Sequence, residues 1–532
     1  MMNRQLKRGG RLAVVCCMAV AVFLMTAAGD FPVAAADKVR ERAQRALREG
    51  EFEVAEKLFR ELIAKNARDK DARLGLSYTL YKKRSLQDAY DHAARVVAID
   101  PLSARAHALL GAVVLASGDF RLSVEEFRTA LSLKEDEALA IAGLAMVDFY
   151  ENRASTSLSG LRRAVFIDPN EPDFVFNLAQ ASARTENYKE AADAYERFLA
   201  IAPKTDADRR ARIRGLIDFL RYLGQQSSLY VVGGAARTEV SFQAPDNRPL
   251  FLVHVNGEKE PLRFVLDTGS GMSVVSQETA RRLGLKEVAR GGMARAVGGG
   301  GRFDIVYGFL QSLEIGDVRV SNVPVYIRRF FNDKTHVDGY IGLSLISKYV
   351  TTVDYGTKTL SLSRQRSSTN AAQAAAQGIE IPLRTTSAGF LSGEVQIESV
   401  EKPLNFIIDT GATVSVVSEN LAEREDLVER FAQNVRLQIF GSAGVADNVT
   451  MLMLPRVSFG SYARERLSAA VLDMEPINET AGFEQTGIIG GNFLRHFRLV
   501  FDFQKGVMRL EPLVVTPEAT NPPRISIGAS QP

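Results

Sequence analysis

The sequence predicts an α + β multidomain chain, in which a solenoid of helical repeats is followed by two similar all-β lobes. Three observations lead to this fold class: a 34-residue period up to about residue 205, a change to short β-type runs near residue 238, and one acid-centred motif that occurs twice. A chain of 532 residues is too long for one hydrophobic core. Its 46% hydrophobic and 24% charged residues are typical of globular domains.

The first 36 residues form a segment of their own, which we predict to be a secretory signal peptide. Basic residues, among them Arg8 and Arg11, precede the apolar run Leu12–Gly29, and the small residues at 34–36 offer a cleavage site. An uncleaved membrane anchor is the alternative, because this run is just long enough to span a bilayer. We therefore expect an exported protein, periplasmic or secreted, or one tethered to the inner membrane through residues 12–29.

Charge and cysteine content exclude several function classes for the rest of the chain. Of the 66 basic and 63 acidic residues, four and one respectively lie in residues 1–36, so the remainder has no formal net charge. We therefore expect no nucleic acid partner. Cys16 and Cys17 also lie in this segment, which leaves the exported part without a disulfide, a thiol nucleophile or a cysteine-based zinc site.

Residues 37–223 are predicted to form helical repeats. A column of small residues recurs every 34 positions: Ala43, Ser77, Gly111, Ala145 and Ala179. Small residues let two helices cross closely, so the column predicts stacked helical hairpins, with an irregular helical bundle as the alternative. The pattern resembles the tetratricopeptide repeat, in five copies over 36–205 with Asp206–Leu223 as a capping helix. The resemblance implies a concave groove that binds a protein partner or the substrate.

Two β-rich regions follow a small-residue linker at 224–237. They are predicted as lobe 1, residues 238–363, and lobe 2, residues 379–515, because short β-type runs such as FLVHV and YVTTVDY recur between turn residues. The polar, low-complexity residues 364–378 are predicted to link the lobes, and residues 516–532 to form a disordered tail.

The two β regions share four landmarks in one order. PLRFVLDTGS in lobe 1 matches PLNFIIDTGA in lobe 2, with Asp267 and Asp409 as the equivalent acids. Each acid is followed by a glycine-rich segment, by an apolar-apolar-glycine unit, and by a further acid twelve residues beyond that glycine. The shared order indicates duplication of a fold. The last acids, Asp354 and Asp502, are predicted to be strand or turn residues without a catalytic role.

The duplicated motif resembles that of the aspartic peptidases, and more closely their retropepsin-like branch, over about residues 238–515. IIDTGA and GIIGGNFL of lobe 2 carry the closest match. The resemblance implies that the two Asp-Thr-Gly loops meet at a pseudo-twofold axis, with Asp267 and Asp409 as the catalytic pair. It also implies a set of residues that support the loops: Thr268, Gly269, Ser270, Thr410 and Gly411. YIGLS in lobe 1 departs from the family pattern, which leaves the geometry of that lobe open, but not Asp267 itself.

The glycine-rich segments are predicted to be hairpin flaps that close over the substrate and exclude water, with plain surface loops as the alternative. The glycines assigned to flaps and substrate binding are Gly298, Gly299, Gly300, Gly441 and Gly444.

Paired carboxyl groups have a definite chemistry. Two carboxyls about 3 Å apart do not both ionise readily, so the pair holds one proton over a range of pH. The ionised member can draw a proton from a water while the protonated member donates to the substrate carbonyl oxygen. The five histidines form no HExxH motif and no close pair, so we expect neither a metal site nor a cofactor.

The sequence therefore predicts an exported aspartic-type endopeptidase that acts on peptides or unfolded proteins. The alternative is a non-catalytic peptide-binding or scaffolding protein built on a degenerate aspartyl protease. A further alternative keeps the enzyme but pairs the lobes between two chains.

Overall fold

The computed structural model describes residues 36–226, 228–295, 297–299, 301–331, 335–364, 379–441 and 444–513. The predicted signal peptide or membrane tether, the linker after Arg364 and the C-terminal tail lie outside the described residues. The chain divides into two compact units, residues 1–225 and 226–532. None of the described helices is long and apolar enough to cross a membrane.

The first unit is helical. Its helices are α1 (36–49), α2 (Phe52–Lys65), α3 (Lys70–Lys82), α4 (Leu86–Ile99), α5 (Ala104–Ala116), α6 (Phe120–Leu133), α7 (Ala138–Tyr150), α8 (Ala154–Ile167), α9 (Pro172–Arg184), α10 (Tyr188–Ile201) and α11 (Ala207–Leu223). Side-chain caps fix several starts, since Asp69, Ser103 and Asp119 each accept a backbone N–H from the first turn that follows. The paired helices α1 to α10 form the five predicted repeats, and α11 follows as the predicted capping helix.

The columns of small and bulky residues explain how the hairpins stack. A Cβ atom at Gly111 would lie 2.7 Å from the Phe127 ring, and one at Gly143 would lie 2.1 Å from it. The fully buried Phe127 of α6 therefore fills the space that glycines on α5 and α7 leave open. The structure therefore confirms the close crossing of helices at small residues that the 34-residue period predicts.

The first helices of the second and fifth repeats contact each other. The hydroxyl of Tyr78 on α3 donates to Oε1 of Glu171 at 2.9 Å, and Lys82 forms an ion pair with Asp173 on α9. Helices α5 and α7 lie between them in the chain and are buried along nearly their whole length. Side chains therefore bridge the inner face of the repeats, a feature that the sequence does not predict.

Lobe 1 is built on an eight-stranded sheet with the order β1-β8-β5-β9-β4-β3-β7-β6. Its elements are β1 (Val231–Gly234), β2 (Arg237–Ser241), β3 (Leu250–Val255), β4 (Leu262–Leu266), β5 (Ser273–Ser276), α12 (Gln277–Arg282), β6 (Ala289–Arg295), β7 (Arg302–Ile315), β8 (Val318–Arg328), β9 (Gly339–Ile341), α13 (Leu343–Ile346), β10 (Val350–Asp354) and β11 (Thr359–Ser363), with a 3₁₀ turn at Pro245–Asn247. Strand β1 falls within the segment predicted as a linker and pairs with β8.

Lobe 2 repeats this plan in a sheet with the order β13-β14-β15-β20-β16-β19-β18-β17. Its elements are β12 (Ile379–Pro382), β13 (Arg384–Thr385), β14 (Leu391–Ile397), β15 (Leu404–Ile408), β16 (Ser415–Ser418), α14 (Glu419–Arg424), α15 (Leu427–Phe431), β17 (Ala432–Gly441), β18 (Gly444–Phe459), β19 (Tyr462–Leu472), α16 (Glu475–Ala481), β20 (Gly487–Ile489), α17 (Gly491–Leu494), β21 (Phe497–Asp502) and β22 (Val507–Pro512).

Equivalent strands pair in equivalent register in the two lobes. Strand β4 runs parallel to β9 with Phe264 opposite Gly339, and β15 runs parallel to β20 with Phe406 opposite Gly487. A Cβ atom at either glycine would lie 2.3 Å from the ring of the phenylalanine opposite. The same phenylalanine–glycine packing in both lobes agrees with the duplication that the sequence predicts.

A third sheet, β12-β22-β21-β10-β11-β2, joins the lobes within one chain. Strand β10 of lobe 1 pairs antiparallel with β21 of lobe 2, from Val350 opposite Asp502 to Asp354 opposite Arg498. Each acid accepts hydrogen bonds from the turn that follows its strand. Asp354 Oδ1 accepts the N–H groups of the turn after β10, and Asp502 Oδ1 accepts the N–H of Lys505. Both acids thus end a strand and bond to the turn that follows, in agreement with the prediction of strand or turn residues.

Candidate active site

The two acids of the repeated motif leave their sheets at equivalent places. Strands β4 and β15 are buried, and each ends one residue before an acid. The N–H of Asp267 donates to the carbonyl of Ile341 at 3.0 Å, and the N–H of Asp409 donates to that of Ile489 at 3.0 Å. Each apolar-apolar-glycine unit therefore passes behind the loop of its own lobe and fixes the backbone of the acid.

Four hydrogen bonds between two threonines and their opposite loops cross-link the lobes. The hydroxyl of Thr268 donates to the carbonyl of Ile408 at 2.7 Å, and that of Thr410 donates to the carbonyl of Leu266 at 2.8 Å. Each hydroxyl also accepts the N–H of the other threonine, at 3.0 and 3.2 Å. Both side chains are fully buried, so the two loops are locked together away from water.

Glycine in each loop lets the acid of the other lobe approach. A Cβ atom at Gly269 would lie 2.4 Å from Cγ of Asp409, and one at Gly411 would lie 2.8 Å from Cγ of Asp267. Any residue larger than glycine at position 269 or 411 would therefore displace the carboxyl group of the opposite acid. The structure thus brings the two acids together, with their carboxyl groups within hydrogen-bonding reach of each other.

The environment of the pair separates the roles of the two acids. Burial raises the pKa of Asp267 well above its ordinary value, and the charge of Asp409 raises it further. Burial also raises the pKa of Asp409, but Oδ1 of this residue accepts the N–H groups of Gly411 at 2.7 Å and Ala412 at 3.1 Å. These donors stabilise the ionised form, so the arrangement favours the shared proton on Asp267 and the charge on Asp409.

Serines hold the glycine units in both lobes. The N–H of Gly342 donates to Oγ of Ser273 at 3.1 Å, and the N–H of Gly490 donates to Oγ of Ser415 at 3.1 Å. Ser270, assigned to loop support, donates its hydroxyl to the carbonyl of Met272 at 2.7 Å. The backbone support of the acids is therefore alike in the two lobes.

The departure of YIGLS from the family pattern has a local effect. In lobe 2, Oδ1 of Asn492 accepts from both the N–H and the hydroxyl of Ser415, and Nδ2 donates to the carbonyl of Ser468 at 2.7 Å. The equivalent residue of lobe 1 is Ser344, whose buried Oγ has no hydrogen-bond partner among the described residues. Lobe 1 thus lacks one cross-link behind its glycine unit, but the position of Asp267 is kept.

The glycine-rich segments are the tips of two hairpins, which we call flap 1 (β6–β7) and flap 2 (β17–β18). A Cβ atom at Gly441 would lie 1.9 Å from the carbonyl oxygen of Gly298, and one at Gly299 would lie 2.5 Å from the carbonyl carbon of Gly444. These four predicted glycines lie where the tips touch, and Gly300 lies outside the described residues. The flaps meet so closely because Gly298, Gly299, Gly441 and Gly444 have no side chains.

Flap 1 reaches across to lobe 2. Val297 at its tip packs against an apolar cluster of lobe 2 that includes Ala412, three residues after the second acid. Arg295 forms ion pairs with Asp473 at 3.2 Å and with Glu479 at 3.1 Å. The flap is therefore held over the loop of Asp409 by residues that the sequence analysis did not single out.

Arg328, the last residue of β8, is a second site residue that sequence reasoning missed. Its guanidinium carbon lies 3.6 Å from the centre of the Phe303 ring on β7, and its charge interacts with Asp267. Burial lowers the pKa of Arg328 to about 10, so the side chain is still a cation at neutral pH. In the sequence it ends the apolar run VPVYIR, and comparing the two lobes strand by strand is the signal that could have found it.

A proton donor and a proton acceptor therefore lie side by side, under two touching flaps. Such a pair can activate a water and polarise a carbonyl group in one step. Among the described residues, no group of three or more His, Cys, Asp or Glu side chains is placed to hold a metal ion.

Comparison with protein families gives two matches. A family described as Aspartyl protease matches residues 252–345 and 393–493, the first of which contains Asp267 and the second Asp409. A family described as Tetratricopeptide repeat matches residues 40–104 and 142–205. A search of the curated proteins found no match.

The solved structures that resemble part of this chain include three that each cover about a third of it. A thermophilic tetratricopeptide-repeat protein of Thermus thermophilus is 19% identical, with a TM-score of 0.30, over 34% of this chain and 98% of its own. MamA of Desulfovibrio magneticus is 21% identical, with a TM-score of 0.23, over 31% of this chain and 94% of its own. PilF of Pseudomonas aeruginosa is 15% identical, with a TM-score of 0.27, over 36% and 87%.

Proposed function

We propose that this chain, which carries tetratricopeptide repeats followed by an aspartyl protease domain in two lobes, is an aspartic endopeptidase. The observation that carries the proposal is the contact between Asp267 and Asp409 on loops cross-linked by Thr268 and Thr410. A scaffold that had lost catalysis would not need two buried carboxyl groups so close together, because each disfavours ionisation of the other.

The geometry supports a mechanism in two steps. Asp409, ionised, takes a proton from a water whose oxygen forms a bond to the carbonyl carbon of the peptide. Asp267 gives its proton to the carbonyl oxygen at the same time, so the intermediate is a neutral gem-diol. Asp409 then returns its proton to the amide nitrogen as the C–N bond breaks, and Asp267 takes a proton from one hydroxyl group, which restores the starting state.

The flaps supply the closed environment that this chemistry needs. With the tips in contact, a substrate in the cleft would be shielded from bulk water, so the electrostatic stabilisation of the developing charges would be stronger. Opening must part the contact between Gly298 and Gly441, so binding and release of substrate require the flaps to move.

Two variants test the catalytic assignment. Asp267→Asn and Asp409→Asn should each lower cleavage of an unstructured protein by a factor of at least about 10³, since each removes one partner of a concerted proton transfer. Asp354→Asn is the matched control, because this acid lies at the end of β10 and caps a turn. Substantial cleavage by both dyad variants, or no turnover by the wild type from pH 3 to 8, would contradict the proposal and favour the scaffold.

We further propose that the repeats recruit a partner protein or a protein substrate, which is the general role of such repeats. The bridge of α3 to α9 means that a guest on the inner face must compete with the Lys82–Asp173 ion pair. Lys82→Glu should therefore change cleavage of a folded-domain substrate by about threefold or more while short peptides are cleaved as before. Lys70→Glu is the control, since Lys70 pairs with Asp100 at an exposed site.

Export remains part of the proposal. The basic residues, apolar run and small-residue stretch of residues 1–36 support it. A fusion of these residues to a reporter that is active only outside the cytoplasm should be active, and N-terminal sequencing of the mature protein should begin at Asp37. Recovery of intact protein in the membrane fraction would instead favour the tether through residues 12–29.

A further inference from the structure

The two lobes place chemically different residues at equivalent positions beside the dyad. In lobe 1, the register of β5 on β8 sets Ser276 opposite Arg328. In lobe 2, the register of β16 on β19 sets Ser418 opposite Leu472. Duplication of the fold makes these positions equivalent, so lobe 1 has a cation where lobe 2 has an aliphatic residue.

The residues around Arg328 and Leu472 also differ in chemistry between the two lobes. In lobe 2, Leu472 shares an apolar cluster with Ile407 and Ile488, which flank the loop of Asp409. Registers of the central strands show that the lobe 1 equivalent of Ile488 is Tyr340. Lobe 1 therefore offers an aromatic and cationic wall where lobe 2 offers an aliphatic wall.

The position of Arg328 puts its charge inside the cleft. Its guanidinium group stacks on Phe303, which lies on β7, the strand that continues from the tip of flap 1. The same group interacts electrostatically with Asp267 and with Tyr340. Arg328 thus contacts the strand that leads from the tip of flap 1 and lies near enough to Asp267 for the two charges to interact.

A guanidinium group in this setting selects among substrate side chains. Its five N–H donors lie in the plane of the group, so stacking on Phe303 through the face is compatible with donation to a carboxylate at the edge. Low exposure to water strengthens the attraction for a carboxylate. A lysine side chain would be repelled, and an aliphatic one would remove hydration from the charge without replacing it.

Building on the proposed endopeptidase activity, we infer that Arg328 is a specificity-determining residue that binds a glutamate or aspartate side chain of the substrate. The wall of Leu472, Ile407 and Ile488 takes an aliphatic side chain on the other side of the scissile bond. The preferred substrate is therefore a peptide with an acidic residue on one side of the cleaved bond and an aliphatic residue on the other.

Peptides that differ in one residue test this inference. Sets with Glu, Gln or Lys at each position flanking the cleaved bond should give a Glu over Gln preference in kcat/KM of at least about tenfold at one position, the usual effect of a charged hydrogen bond. Arg328→Gln should remove the preference, and Arg328→Glu should replace it with a preference for Lys. Arg328→Lys, which keeps the charge, should retain part of the preference for Glu and shows that any loss is not a folding defect.

Arg319→Gln is the matched control. Arg319 lies on the same strand, is exposed and pairs with Glu314, so its loss should leave the Glu over Gln ratio unchanged. An unchanged ratio in Arg328→Gln, with a shifted pH profile of kcat, would overturn the inference and leave Arg328 as a positioning residue for Asp267. Absence of cleavage of every peptide by the wild type would instead overturn the proposed function, and with it the inference.

Discussion

Thr268 and Thr410 each donate their hydroxyl to the backbone carbonyl that precedes the acid of the opposite lobe. The relationship is reciprocal: the N–H of each threonine also donates to the hydroxyl of the other. The backbone that carries one acid is therefore held by the loop of the other. Neither loop keeps its full set of hydrogen bonds without its counterpart.

Loss of one threonine hydroxyl should destabilise the β unit. Thr410→Val keeps the shape but removes hydrogen bonds to the buried N–H of Thr268 and carbonyl of Leu266, at a cost of about 2–5 kcal/mol in the free energy of unfolding. Urea denaturation followed by intrinsic tyrosine fluorescence measures this. Thr410→Ser keeps the hydroxyl and should lose only about 1 kcal/mol. Equal losses in the two variants would mean that packing of the methyl group matters more than the hydrogen bonds.

The acid pair should lower stability as the pH rises. Because the pKa of Asp267 is raised in the folded state, the folded protein binds more protons than the unfolded one between the two pKa values. The contribution of Asp267 to the free energy of unfolding is therefore greatest below the pKa that its carboxyl group has in the unfolded chain, about 3.9. This contribution falls as the pH rises towards the pKa of the folded state. Asp267→Asn cannot ionise, so it should melt at a higher temperature than the wild type at pH 7. A difference in melting temperature between Asp267→Asn and the wild type that does not grow from pH 3.5 to pH 7 would contradict this prediction.

The contact between the flap tips should not tolerate a side chain. Gly441→Ala places a Cβ atom 1.9 Å from the carbonyl oxygen of Gly298 and forces the tips apart. We expect kcat/KM to fall roughly tenfold to a hundredfold, as small displacements of groups around a substrate do, while the melting temperature changes little. In Gly233→Ala, the control, the nearest atom lies 3.8 Å away, so full activity is expected. A fully active Gly441→Ala variant would mean that the contact is dispensable.

The ion pairs of Arg295 should tune how often flap 1 opens. All three partners are partly exposed, and exposed pairs contribute about 0.2–1 kcal/mol each. Arg295→Gln should therefore raise KM by roughly two- to fivefold, with a smaller effect at high salt. Arg290→Gln on the same strand is the control, since Arg290 pairs with Glu287 within lobe 1. Steady-state kinetics at two salt concentrations distinguish the variants, and identical KM values would rule out a role of Arg295 in closure.

Stacking of the repeats should depend on the match between Gly143 and Phe127. A methyl group at position 143 would lie 2.1 Å from the ring, so Gly143→Ala should lower the unfolding free energy of the helical unit by about 1–3 kcal/mol. Phe127→Leu should cost a similar amount, because it leaves a void. The double variant should be more stable than the sum of both losses predicts, as measured by circular dichroism during thermal unfolding. Simple additivity would show that the two positions do not contact each other.

The sequence predicts those parts of the fold whose residue patterns recur along the chain. The 34-residue period reflects contacts such as Gly111 with Phe127, which recur because each hairpin meets its neighbour in the same way. The acid loops were predictable for the same reason, since both copies of the motif carry the residues that bring Asp267 and Asp409 together.

The unpredicted parts are single contacts between distant segments. The Lys82–Asp173 pair joins non-adjacent repeats, and nothing in either local sequence distinguishes it from a surface charge. Arg295 and Arg328 end strands, where arginine usually faces solvent, and only the approach of a flap or an aromatic ring gives them another role. Such contacts depend on how elements are placed in space, which the periodicity of a segment does not encode.

The strand pairing that unites both lobes in one polypeptide has an evolutionary consequence. An acid protease assembled from two identical subunits must accept every mutation twice, at places related by the twofold axis. Here a change at Arg328 leaves Leu472 untouched, so selection can shape each half separately. A bound peptide has different amino and carboxyl ends, and a chain that carries both lobes can adapt each lobe to one of these ends.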